Sequence, residues 1–436
     1  MKALTFHSTR ADHVNGKGGP LYTVGEAIET GLAPDGGLFI PSEIPKIDFD
    51  ALPASSFLDC SIAFLSQWLA NSEFEADLES LVRNALNFEV PIVQPEVGTY
   101  ILELFHGPTL SFKDFGARLM SRLLGHRLAR SGRKLTIMVA TSGDTGSAVA
   151  DGFSGIPGIS VLLLYPRDGV SPVQEQQLIL QRPGVRALQV DGSFDDCQRL
   201  VKGALSDPSL EGLHISTANS INIGRLLPQM LYYVWAVKSI GCCDIRVVVP
   251  SGNLGNITAG IWAHLSGMPA AGFIAAHNEN DFFPSFLVDS SESFRPSVKT
   301  ISNAMDVGAP SNFERLKALM PSSQLKGLVH GCSVSDKETL ISMKEFHDAT
   351  GYLADPHTAV GLEAARRFRS LDKRPVPTLV LSTAHPSKFP ETCKMIGLEA
   401  RIPDQLVSLA DRPSAYTELD CSQDSLRKEL LDQAGI

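Results

Sequence analysis

From about residue 97 the chain alternates short β-branched runs with amphipathic stretches, and few architectures accept that pattern. Strands separated by helices pair in parallel, so the pattern predicts an α/β fold, a parallel sheet with helices on its faces. The strand candidates are LTIMVA at 135–140, ISVLLLY at 159–165, VRALQV at 185–190, IRVVVP at 245–250 and PTLVLST at 377–383. Each precedes a turn and a helical pattern. Residues 1–95 read differently, with a turn-rich APDGGLFIP at 33–41 and helical periodicity from about 57 to 87, and predict a separate N-terminal domain. Residues 96–400 then form the central domain. The polar stretch 401–436, punctuated by Pro403 and Pro413, is expected to be a helical tail on the surface.

Composition narrows the function classes. Hydrophobic residues at 43% and charged residues at 20% suit a water-soluble globular protein. No run approaches the roughly 18 apolar residues that a membrane span needs. The start MKALTFHSTR has no apolar stretch of signal-peptide type, so a cytoplasmic location is expected. A net charge of -10 with dispersed Lys and Arg leaves no basic stripe for nucleic acid. The seven cysteines lack the paired spacings of metal or redox sites, and the neighbours Cys242 and Cys243 are read as buried thiols rather than ligands. No metal is expected.

The segment LELFHGPTLSFKDFGARLM at 102–120 breaks a local rule. Ser111 and Asp114 have the spacing of a capping box, so a helix should begin there and continue through Phe115, Leu119 and Leu123. Lys113 then sits in the first turn, where a cation opposes the helix dipole by roughly 0.3–1 kcal/mol. That position and the flanking Phe112 and Phe115 lower its proton affinity. A neutral amine is what bonding to an aldehyde requires. A solvated lysine beside a helix start is the other reading, and the segment alone leaves both open.

Two glycine-rich loops share one arrangement. TSGDTGSAVA at 141–150 and PSGNLGNITAG at 250–260 each follow a strand and open a helix, so their backbone N–H groups suit an anion. Neither is a Walker A loop or a full dinucleotide fingerprint. Steric need alone also places glycine at such turns, but a small phosphorylated aldehyde accounts for a loop and a lysine together.

These segments resemble the threonine synthase family, of the tryptophan-synthase β-like fold type. The resemblance extends over nearly the whole chain, through STR at 8–10, GLAPDGGLFIP at 31–41, LYPRDGVSPVQEQQ at 164–177, DGSFDDCQRLV at 191–201, ANSINIGRLLPQMLYY at 218–233, SNAMDVGAPSN at 302–312 and STAHPSKF at 382–389. It implies a pyridoxal 5'-phosphate (PLP) enzyme of fold type II with two α/β catalytic subdomains. Lys113 would bond the cofactor aldehyde and move protons, Gly252, Asn253, Leu254 and Gly255 would cradle its phosphate, and Thr383 would face the pyridine nitrogen. Ser142, Gly143, Asp144 and Thr145 would hold the substrate carboxylate and the ring oxygen. The loop departs from the family in reading GNLGN, with Leu254 where an aromatic and Asn256 where an acid is common.

The implied reaction converts O-phospho-L-homoserine and water to L-threonine and phosphate, by γ-elimination and β-addition of water. Arg225 and Lys388 are the candidates for the substrate phosphate, with Asn219, Ser220 and Asn222 as neutral donors; a surface ion pair for Arg225 and a solvated loop for Lys388 are the alternatives. His106 and His385 flank the motifs and are read as core histidines. The rival activity is a threonine-synthase-like phospholyase that releases 2-oxobutyrate. The protein is expected to act as a monomer or homodimer on a small molecule, without nucleic acid or membrane.

Overall fold

The computed structural model of the chain describes residues 2–11, 19–242, 244–372, 374–409 and 412–434. Two parallel sheets dominate it. A six-stranded sheet runs in the order Val329–Ser333, Gly272–His277, Arg246–Pro250, Thr378–Ser382, Thr99–Glu103, Ile92–Glu96, with only the last pair antiparallel. A five-stranded, fully parallel sheet runs Thr417–Leu419, Val185–Val190, Ile159–Pro166, Leu135–Ala140, Ile215–Thr217. The five strand candidates from sequence match to within a residue at each end. Their apolar character is continuous rather than alternating because helices cover both sheet faces; Arg246–Pro250 is buried at every position.

Chain order reverses direction at two points. From Leu135–Ala140 the sheet grows toward Ile159–Pro166 on one side and Ile215–Thr217 on the other, and Arg246–Pro250 lies between Gly272–His277 and Thr378–Ser382. Loops leaving the carboxyl ends of such strands diverge to opposite faces and open a crevice. Both glycine-rich loops leave from these two strands.

The N-terminal segment forms a three-stranded antiparallel sheet, Tyr22–Thr23, Thr5–Ser8 and Phe39–Pro41. The helical periodicity at 57–87 resolves into two helices, Phe57–Trp68 and Leu78–Ala85. Their apolar faces merge with the central core: Phe64 and Trp68 share one buried cluster with Phe115, Tyr232 and Trp262, and Trp68 stacks on Trp262 at 5.8 Å.

The segment after 400 differs from the expected helical tail. Thr417–Leu419 adds an edge strand beside Leu188–Val190, and the helix Gln423–Ala434 buries Leu426 and Leu430 against Cys197 and Leu200. A three-residue strand carries too little periodicity to be read locally, and its partner lies more than 200 residues away. Cys242, expected to be buried, is half-buried; Cys243 lies outside the described residues. Among the described residues no helix is long and apolar enough to cross a membrane.

Candidate active site

The carboxyl ends of the two parallel sheets face a cavity of about 580 Å³. Lys113, Ser142, Asp144, Thr145, Asn219, Ser220, Arg225, the run Gly252–Gly255 and Thr383 all line it. Residues spread over 270 positions of sequence are thus brought together by the ends of four strands, Leu135–Ala140, Ile215–Thr217, Arg246–Pro250 and Thr378–Ser382, with the helix start at Lys113 and the short helix Ile223–Leu226.

Lys113 opens the helix Lys113–Ser131 as expected, but no capping box forms. The Asp114 carboxylate turns back to accept the Thr109 N–H at 2.9 Å and the Thr109 hydroxyl at 2.6 Å, and the buried Ser111 hydroxyl has no partner among the described residues. Pairing of main chains sets the register instead: the Phe112 N–H donates to Thr383 O at 2.9 Å, and the His385 N–H donates to Leu110 O at 3.1 Å. That pairing fixes Lys113 relative to Thr383. Burial, with the charges of Lys388 and Arg225 opposing the pull of Asp144, pushes the Lys113 ammonium down to about 8. Lys113 keeps some surface because it faces the cavity.

The loop after Pro250 enters the helix Gly255–Leu265 through Leu254, whose φ of +59° is left-handed. Leu110, three residues before Lys113, has φ +60°. Leucine rarely accepts this region, at a cost on the order of 1–3 kcal/mol, so both turns feeding the cavity hold strain. Asn253 is locked by donating to Ser220 Oγ at 2.6 Å and accepting the Ser311 N–H at 2.5 Å. Gly252 is a packing necessity: a Cβ there would lie 2.8 Å from Met305 Cα. At Gly255 the nearest atoms would be 3.4 Å away, ordinary contact.

In the other loop, Thr141 Oγ1 accepts the Gly143 and Gly146 N–H groups at 3.0 and 2.8 Å. Gly143, at φ +131°, leaves no room for a side chain against Gln174. The Ser142 and Thr145 hydroxyls line the cavity without a protein partner among the described residues, as does that of Thr383.

Arg225 is buried to 3% exposure and has no ion pair among the described residues. It donates to Ala218 O at 2.7 Å and weakly to Lys113 O at 3.4 Å, while its buried Nε has no partner among the described residues. Burial pushes it down to about 10. A buried guanidinium on a cavity lining, with no ion pair among the described residues, is a candidate to bind an anion.

Two proposed substrate contacts fall outside the cavity. The Asn222 amide is consumed by Ile28 O, Thr217 O and the Gly224 N–H at 2.8, 3.0 and 2.8 Å. Lys388 is fully buried, 2.7 Å from Asp144 Oδ1 and 2.8 Å from Thr109 O. Neither is a solvated residue, and neither presents its polar group to the cavity; Gly143 likewise contributes shape rather than lining. Burial raises the Asp144 carboxyl, but Lys388 and Lys113 outweigh it and, with hydrogen bonds from Lys388 and Gln174, hold it well below the usual carboxylate range. His106 pairs with Glu103 and His385 with Ser387, and neither lines the cavity. Sequence reasoning missed His357 and gave the quoted 302–312 segment no place in the site, although residues 303–309 and His357 line the cavity. Asp355 before Pro356 is a readable helix cap that could have pointed to His357.

Comparison with known proteins agrees with this geometry. Residues 5–86 match the family described as threonine synthase N terminus, 87–382 match pyridoxal-phosphate dependent enzyme, and 358–429 match threonine synthase, C-terminal. The threonine synthase of Escherichia coli (strain K12) is 39% identical over 417 residues, 93% of this chain and 96% of that protein. The chain belongs to the threonine synthase family. Threonine synthase from Pseudomonas aeruginosa is 33% identical over 92% of this chain and 93% of its own. The crystal structure of the Escherichia coli threonine synthase superposes with a TM-score of 0.90 at 37% identity, covering 98% and 99% of the two chains. That of PLP-bound threonine synthase from Brucella melitensis gives 0.91 at 33% identity, covering 99% and 100%. As in the rest of the threonine synthase family, the fold is type II, the cofactor is PLP and the enzyme class is a lyase. The cavity fits that cofactor: it offers an amine lowered toward neutrality, a glycine-bounded helix start for a phosphate, and a free hydroxyl on Thr383.

Proposed function

We propose that this protein converts O-phospho-L-homoserine and water to L-threonine and phosphate in the cytoplasm, the last step of threonine biosynthesis. The observation that carries the substrate is Arg225, a buried guanidinium with no ion pair among the described residues, lining the same cavity as Lys113. When bound, PLP supplies an aldehyde that bonds amino groups and a ring that accepts charge from Cα.

The chain's own residues do the rest. The main-chain N–H groups of the Gly252–Gly255 loop, with the Ser220 hydroxyl beside Asn253, would hold the cofactor phosphate at the start of the helix Gly255–Leu265. Ser142 and Thr145 offer free hydroxyls to the substrate carboxylate. Lys113, whose proton affinity burial lowers to about 8, takes the proton from Cα and moves protons in the later steps. Arg225 orients the phosphate on Cγ, so that loss of a Cβ proton expels it. Cγ then gains a proton, water adds its oxygen to Cβ and gives up a proton, and Cα regains the proton it lost, giving threonine. Asn219, with Nδ2 donating to Ala140 O at 2.9 Å, borders the same space. Lys388 acts through Asp144, by fixing the start of the helix Asp144–Phe153 beside Lys113.

The test is product analysis with O-phospho-L-homoserine. Threonine with stoichiometric phosphate is expected, whereas 2-oxobutyrate as main product would replace this reading with a phospholyase.

A further inference from the structure

Asp355 and His357 have no part in the steps above, yet His357 lies on the cavity wall. Asp355 caps the helix Pro356–Leu371, accepting the His357 and Thr358 N–H groups at 2.9 and 3.2 Å and the Thr358 hydroxyl. Its Oδ2 also lies 2.6 Å from His357 Nδ1, and both residues are buried, at 0% and 2% exposure. With donors converging on this carboxylate, Nδ1 carries a proton and Nε2 is the free acceptor. That acceptor receives the Ala304 N–H at 3.2 Å.

Ala304 belongs to the segment 303–309 that lines the cavity beside the Gly252 loop. Its far end is fixed by Asp306, whose Oδ1 accepts from Thr300 Oγ1, Asn278 Nδ2 and Asn280 Nδ2 at 2.7, 2.9 and 3.2 Å. The next residue after Ala304 is Met305, whose Cα occupies the space in front of Gly252. A chain of direct contacts therefore runs from Asp355 through His357, Ala304 and Met305 to Gly252.

We propose that His357 is a positioning residue of the cofactor site: Asp355 fixes its tautomer, and the ring then holds Ala304 so that Met305 braces the Gly252 loop. This rests on the assignment of Gly252–Gly255 to the cofactor phosphate.

Titration of the full-length apoprotein with PLP, followed by its absorbance, tests the proposal. Asp355→Asn keeps an oxygen for the helix cap but turns an NH₂ toward Nδ1. The ring answers by accepting there and protonating Nε2, which then points a donor at the Ala304 N–H. Glutamine at 357 can put an amide oxygen near the position of Nε2 and has no tautomer to switch. The PLP Kd of Asp355→Asn should rise at least about tenfold, while those of His357→Gln and of the double variant stay within about threefold of wild type. The double variant carries the same altered cap, so damage to the fold would persist in it and relief of the donor clash would not. The proposal is overturned by an Asp355→Asn protein of wild-type affinity, by a His357→Gln protein as weak as Asp355→Asn, or by a double variant that stays weak. Gly252→Ala separates the underlying reading. Normal PLP binding by it removes the loop assignment and the brace together, and weakened binding by it beside an unaffected Asp355→Asn removes the role of His357 alone.

Discussion

Lys388 Nζ lies 2.7 Å from Asp144 Oδ1, with the lysine at 0% and the aspartate at 3% side-chain exposure. A fully desolvated pair of this kind contributes little net stability but is costly to break from one side, by about 3–5 kcal/mol. Lys388→Met should therefore lower the unfolding free energy of the apoprotein by that order. Lys388→Met with Asp144→Leu should recover most of it. Urea unfolding of the two single variants and the double variant measures the coupling, and additive losses would show that the pair is not the stabilising unit.

Capture of the cofactor should depend on pH through Lys113. Burial lowers its folded pKa to about 8. The neutral amine, and with it the rate of PLP attachment to apoprotein, should rise as pH increases through about 8. The linked stability has the matching sign: the unfolded chain binds more protons between about 8 and the ordinary lysine value of roughly 10.4, so this group's contribution to stability increases with pH across that window. Stopped-flow absorbance from pH 6.5 to 9.5 checks the rate, and peptide mapping after borohydride reduction should find the cofactor on Lys113. Label on another lysine would refute the assignment.

The two glycines of the phosphate loop should not be equivalent. A Cβ at Gly252 meets main chain at 2.8 Å, which cannot move aside cheaply, whereas at Gly255 the contacts are 3.4 Å. Gly252→Ala should weaken PLP binding by tenfold or more, an estimate on the order of the 1–3 kcal/mol that overpacking costs. Gly255→Ala should change it by a few-fold at most. Equilibrium titration of both apoproteins distinguishes them, and equal behaviour would show that the Met305 contact does not set the loop.

Arg225→Ala should reduce kcat/KM for O-phospho-L-homoserine by roughly 2–5 kcal/mol of transition-state stabilisation, the cost of removing one partner of a desolvated charge pair. The visible absorbance of bound cofactor should persist, because Lys113 and the Gly252 loop are left in place. Arg225→Lys should recover little, since an ammonium cannot reproduce the planar set of donors. Unchanged kcat/KM in Arg225→Ala would place the substrate phosphate elsewhere on the wall.

Local chemistry determined much of this protein in advance. Five strands could be read because apolar β-branched runs of four to eight residues are decided by nearest neighbours and burial on both faces. Lys113 stood out because a cation in a first helical turn contradicts a local electrostatic rule, and the two loops because glycine after a strand has few uses. Segments of family-like sequence supplied the cofactor and the reaction.

Only the tertiary structure decided which polar groups are free to bind. Lys388 and Asn222 carry suitable donors, but Asp144 and the carbonyls of Ile28 and Thr217 occupy them. Arg225 lines the cavity with no ion pair among the described residues. His357 could not be singled out because its role depends on Ala304, 53 residues away, and on the space before Gly252. The edge strand Thr417–Leu419 was hidden for the same reason, its pairing being set by Leu188–Val190. Periodicity is a property of a segment, whereas a hydrogen bond satisfied or left open belongs to a pair of groups that only the folded chain brings together.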